Sequence, residues 1–157
     1  MSSRRQFPPL LISARRVMVE QIYSLEFLFV AARVISMVLI TSNKSKQLLR
    51  VSYIGQVRPE QIQSSHEDLK AQLEELSPGY RLLADLSDLE SMELECVPVL
   101  GRVMDMIGAS GVNLVVRVIP DPSKDIGLNI MRIFHYPHHL QVVTCKNIIE
   151  AVRALEL

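Results

Sequence analysis

Three groups of side chains in this sequence could do chemistry. The first is the run Glu93-Leu94-Glu95-Cys96-Val97-Pro98. A thiol near a helix N-terminus can titrate low enough to act as a nucleophile. It also needs a base within hydrogen-bond reach. The sequence names no such base for Cys96, and Glu93 and Glu95 oppose a thiolate. The two glutamates read as an acid/base pair fare no better, because residues two apart near a helix start point in different directions. The second group is His135, His138 and His139 in the run FHYPHH. Structural zinc wants four ligands at recognisable spacing, and no Cys or carboxylate lies close by in sequence. Loop histidines on a solvated rim are expected. The third is Cys145, expected to be a small buried residue at a helix start. Gly-rich phosphate loops are absent, so no nucleotide-type cofactor is expected. No metal is expected either. The expectation is a binding domain, not an enzyme.

Composition narrows the partners. The chain has 157 residues, 48% hydrophobic and 22% charged, an ordinary globular mix for one domain. Two cysteines with no CxxC spacing point to a reducing cytoplasm. There is no Trp and aromatics are 5%, which argues against stacking platforms for single-stranded nucleic acid. Residues 1–44 carry six basic and two acidic residues, and the remainder eleven and fifteen. A mildly acidic body does not suit a nucleic-acid groove.

The elements that must position these residues follow from periodicity. Residues 1–36 form an N-terminal extension with a Ser/Arg/Pro-rich start and an apolar stretch from Val17 to Val34. An added amphipathic helix, a start codon read too early (with Met18 or Met37 the true start) and a targeting or membrane-surface segment all fit it. Glu26 and Arg33 interrupt its apolar run, and a bilayer span needs about 20 apolar residues, so no membrane crossing is expected. From Met37 a regular domain begins, 37–157. Met37–Thr41 and Gln47–Ile54 predict a hairpin across Asn43-Lys44-Ser45, with the second strand ending at Gly55. Pro59 opens a helix whose stripe is Ile62, His66, Leu69, Leu73 and Leu76. Tyr80–Leu86 is a buried strand. After a short turn, a helix starts near Glu95–Val97, because Pro98 is tolerated in a first turn. Leu100, Val103, Met104 and Ile107 face the sheet. Val112–Ile119 is a strand. Asp121 and Pro122 open a helix striped by Ile126, Ile130 and Ile133. Leu140–Val143 is a short strand, and Thr144 caps a last helix with apolar Ile148, Ile149, Val152 and Leu155. Strands alternating with helices predict an α/β fold, a small mixed, mainly parallel sheet of about five strands with helices packed on it.

One local pattern carries a family likeness. The run Asp85-Leu86-Ser87-Asp88-Leu89-Glu90-Ser91-Met92-Glu93-Leu94-Glu95-Cys96-Val97 resembles the end of the third strand in STAS domains, the module of anti-sigma-factor antagonists and sulfate-transporter tails. There the frame is D-L-S-x-L/V-x-x-M/I-D-S-S-G-L, and a helix follows directly. The hydrophobic positions match. The D-S-S-G box does not, reading Glu93-Leu94-Glu95-Cys96. The resemblance spans about Met37 to Leu155.

The resemblance implies a regulatory interaction domain that docks on a protein partner, an anti-sigma factor or a histidine-kinase-like regulator. The implied partner-binding residues are Glu93, Leu94, Glu95, Cys96 and Val97, with Ser123 and Lys124 on the neighbouring helix start. Glu95 takes the place of the serine that phosphorylatable relatives modify. A carboxylate there supplies a permanent −1, against about −1.5 to −2 for phosphoserine. It is either an ordinary helix-start glutamate or a fixed imitation of the phosphorylated state. A second function class is a carrier for a small molecule or lipid, if the apolar helices part to admit an acyl chain.

Overall fold

The longest strand described, Leu48–Val57, pairs with three others. The computed structural model describes residues 36–121, 131–132 and 135–156, which lie within one unit, Ser36–Leu157. The N-terminal extension, the stripe Ile126, Ile130 and Ile133, and the candidate residues Ser123 and Lys124 lie outside the described residues. β1 (Met37–Asn43) and β2 (Leu48–Val57) form the antiparallel hairpin. In its turn Asn43 Oδ1 accepts from Ser45 Oγ at 2.8 Å and Lys46 N–H at 3.0 Å, the local bonding that makes Asn a turn former.

β2 then pairs parallel with β3 (Arg81–Asp85) over Leu48–Ser52. The expected end at Gly55 is instead a bulge. Gly55 has φ +69° and the register shifts between it and Gln56, a conformation that glycine adopts without penalty. Beyond the bulge β2 continues to Val57 and pairs parallel with β4 (Leu89–Met92). β4 was not legible in sequence, because four residues with two exposed polar ones show no useful period.

The helix after β2 breaks in two, α1 (Pro59–Ser64) and α2 (His66–Glu74). Ser65 makes the break. It is buried with ψ −3°, and its hydroxyl donates to the Ile62 carbonyl at 2.8 Å. The stripe still faces inward, with Ile62 and Leu69 buried and Leu73 and Leu76 packed against the core. α3 (Cys96–Ala109), β5 (Leu114–Val118), β6 (Gln141–Cys145) and α4 (Ile148–Ala154) complete the described elements. The sheet order is β1-β2-β3-β5-β6, with β4 on β2. All pairs but β1–β2 are parallel. No described helix is long and apolar enough to cross a membrane.

Both faces of the central strands are covered, which explains their unbroken apolar runs. On one face Leu49, Val51, Leu82 and Val115 meet Leu100, Val103, Met104 and Ile107 of α3. On the other, Leu83, Val116, Val118 and Cys145 meet Ala151 of α4 and Leu155, the residue that caps its C-terminus. The last helix departs from expectation. Its cap is Asn147, whose Oδ1 accepts from Glu150 N–H at 3.0 Å. Thr144 stays in β6, because the ladder with β5 runs on to Cys145. Ile148, Ile149 and Val152 are exposed and do not line the core.

His135 also departs from a solvated loop. It ends a helical segment, and its Nδ1 lies 2.9 Å from Asp105 Oδ1 on α3. Gly101 provides the seat, since a Cβ there would stand 2.7 Å from His135 Cε1. At the C-terminal end of β3, Arg50 Nη2 reaches Asp85 Oδ2 at 2.7 Å and Ser87 N–H donates to Asp85 Oδ1 at 3.1 Å. Burial alone would raise the Asp85 pKa, but the Ser87 and Arg50 hydrogen bonds outweigh it and hold the carboxyl below its usual range.

Two outcomes are expected. A folded-state pKa below the unfolded value means stability that is complete above about pH 3.9 and lost as pH falls through the folded pKa. Asp85→Asn should therefore cost about 1–2 kcal/mol at neutral pH. Urea titrations of both proteins should converge below about pH 3.9, and a gap independent of pH would refute the role of the carboxylate. Gly101→Ala should displace His135 and cost about 1–3 kcal/mol. Adding His135→Ala should recover most of that loss, and a double variant no more stable than the single one would refute the seat.

Candidate functional site

The junction between β4 and α3 is built by the bulge in β2. Carrying β2 on to Val57 brings its carbonyl to the start of α3, where Glu93 N–H donates to it at 3.4 Å and Cys96 Sγ at 3.5 Å. Cys96 is fully buried and anchors the junction from below. Its neighbours are consequently turned outward. Glu93, Leu94, Glu95 and Val97 are all exposed, Leu94 by 84% and Val97 by 45%. Cys96 N–H donates to Glu93 O and Val97 N–H to Leu94 O, both at 3.0 Å, so the exposed ridge is a closed, hydrogen-bonded turn.

Glu95 is the N-cap of α3, at the surface, with helical φ −60° and ψ −19° and no side-chain cap bond. The reason is local. An N-cap side chain accepts from the second or third helical N–H. Here the second, Val97, already serves Leu94, and the third is Pro98, which has none. The carboxylate is left pointing to water.

The site is acidic. Burial raises the Cys96 thiol pKa, a main-chain hydrogen bond to Glu93 opposes it, and the charges of Glu93, Glu60 and Glu95 add to the rise. This thiol keeps its proton at neutral pH and lacks the electropositive surroundings of a nucleophile. Glu60 was missed in sequence, being 33 positions before Glu93. So was Arg58, whose Nε lies 3.3 Å from Glu93 Oε1. The only available signal was Pro59, which fixes where α1 begins. Both Arg58 and Glu60 flank that proline, and the β2–β4 pairing sets them beside the ridge.

Of the expected site residues, Glu93, Leu94, Glu95 and Val97 share the exposed ridge, and Cys96 lies beneath it. Cys145 is buried in β6, where burial and then Glu150 raise its pKa. Among the described residues no group of three His, Cys, Asp or Glu side chains is placed to hold a metal. Beneath α3 lies a space of about 40 Å³ lined by Tyr53, Leu86, Leu100, Met104, Arg117 and Tyr136, among others. Ligand pockets run to about 300–1,000 Å³. A surface groove of about 460 Å³ is bordered by His66, Glu67, Lys70, Arg102, Asp105 and Met106, a charged lining unsuited to an acyl chain.

No family model and no curated protein matches the sequence. Solved structures do. An uncharacterised protein of the DUF3478 family with a SpoIIAA-like fold, from Shewanella loihica PV-4, superposes with a TM-score of 0.61 at 14% identity, over 77% of this chain and 95% of that one. The anti-sigma factor antagonist SpoIIAA in its unphosphorylated form gives 0.50 at 11% identity, over 76% and 97%. An anti-sigma factor antagonist from Mycobacterium paratuberculosis gives 0.50 at 18% identity, over 77% and 94%. The mixed, mainly parallel sheet with helices packed on it is therefore the SpoIIAA-like STAS fold.

Proposed function

We propose that this domain is a non-catalytic protein-interaction module that regulates a partner through the β4–α3 ridge. The observation that carries the reading is Leu94, a leucine 84% exposed on a rigid turn. Around it are Val97 and the carboxylates Glu60, Glu93 and Glu95, all exposed. Apolar residues that anchor an interface sit at its centre within a polar rim. The complementary surface is an apolar pocket edged by Lys or Arg.

The fold supports the same reading, since two of the similar structures are anti-sigma factor antagonists. The partner of this chain is then an anti-sigma factor or a histidine-kinase-like regulator in the cytoplasm. Ser123 and Lys124 are assigned to partner binding in this reading on the STAS resemblance alone. Glu95 makes the charge of the ridge permanent, so occupancy follows partner concentration and not phosphorylation at this position.

A photo-crosslinker at position 94 should capture the partner in native cells, and the purified pair then gives an affinity. Leu94→Ala should weaken it on the order of tenfold, about 1.4 kcal/mol, with no loss of thermal stability. Unchanged affinity would overturn the ridge as the docking face. Glu95→Ser and Glu95→Ala should each weaken binding by a smaller factor, and wild-type affinity in both would remove any role for the carboxylate.

A further inference from the structure

Arg58 and Glu93 follow directly on the last pair of the β2–β4 ladder. That pair is Val57 with Met92, so Arg58 and Glu93 are the next residue on each chain. The ladder has already brought the two backbones to hydrogen-bonding distance, and Arg58 Nε lies 3.3 Å from Glu93 Oε1. Both main chains are fixed. Arg58 N–H donates to Gln61 Oε1 at 2.6 Å, and Arg58 O accepts from Gln61 N–H at 3.1 Å. Glu93 N–H donates to Val57 O, and Glu93 O accepts from Cys96 N–H. The backbone therefore builds this ion pair into the ridge.

The pair is also exchangeable. Its side chains are 63% and 51% exposed, and an exposed pair contributes little to stability. A second cation can take Glu93 at small cost. Glu93 stands with Glu60 and Glu95, since the charges of all three reach the Cys96 thiol. Among the described residues Glu60 and Glu95 form no ion pair. Arg58 thus occupies one carboxylate of this group. It also sets a positive charge where a basic group of a partner would arrive.

We infer that Arg58 is an internal competitor at the ridge, a specificity-determining residue that lowers affinity for cationic partners and leaves Glu60 and Glu95 open to them. The inference rests on the ridge being the docking face. Discrimination by a like charge is the means by which an interface rejects wrong partners. A partner guanidinium aimed at Glu93 must displace Arg58, and one aimed at Glu95 need not. The partner that fits carries its basic group opposite Glu95, beside the pocket that receives Leu94.

A hexa-arginine peptide serves as the probe, titrated into the full chain at low salt while NMR follows the backbone amides of Leu94 and Glu95. Arg58→Gln should tighten peptide binding about two- to fivefold, the scale of an exposed pair. The difference should disappear at about 0.5 M salt. Arg153→Gln removes the same charge from α4, on the other face of the sheet, and should change binding less. In a Glu93→Gln background Arg58→Gln should lose most of its effect. An effect no larger than that of Arg153→Gln, or one undiminished without Glu93, would overturn the inference. The partner captured through position 94 supplies a second arm. If Leu94→Ala leaves its affinity unchanged, the docking face falls and this inference with it. If Leu94→Ala weakens it and Arg58→Gln does not tighten it, the face stands and Arg58 is not its competitor.

Discussion

β2 is shared between two parallel partners, and the left-handed conformation of Gly55 lets one strand serve both. Its first half builds the central sheet with β3. Its second half, re-aimed by the bulge, captures β4 and carries the Val57 carbonyl to the foot of α3. A side chain at position 55 would be strained in that conformation. Loss of the bulge would also remove the pairing of Gln56 and Val57 with β4. Cys96 would then lose its acceptor, and the ridge above it would lose its support. The geometry of the candidate surface thus begins forty residues upstream of it, in the backbone of a strand that contributes no side chain to the contact.

Much of the architecture was legible because it depends on periods longer than a few residues. The apolar runs RLLAD and LVVRV read as strands covered on both faces, and the spacing of Leu100, Val103, Met104 and Ile107 placed α3 against the sheet. The start of α3 was equally clear, because Pro98 allows few positions. What failed were features decided by single side chains. Ser65 interrupts a helix whose stripe continues unbroken through it. Asn147 and Thr144 are both competent caps, and only the length of the β5–β6 ladder chooses between them. His135 needs a glycine 34 positions earlier in order to seat, and no local pattern announces such a pairing.

The candidate site was legible in part. The exposed ridge from Glu93 to Val97 follows from a strand end, a turn and a proline in sequence. Its electrostatic character does not, because Glu60 and Arg58 arrive from another helix start through the β2–β4 pairing. The burial of Cys96 is also a tertiary outcome. Position 96 carries a thiol in place of the usual glycine, and the pocket beside Val57 accepts the sulfur and its proton together.

Pro98 limits what the start of α3 can hold. A phosphoryl group seated on a helix start draws on spare main-chain donors, and here the first and second helical N–H groups are already engaged while the third position has none. An alcohol introduced at position 95 would supply a chemical handle without a backbone cradle around it.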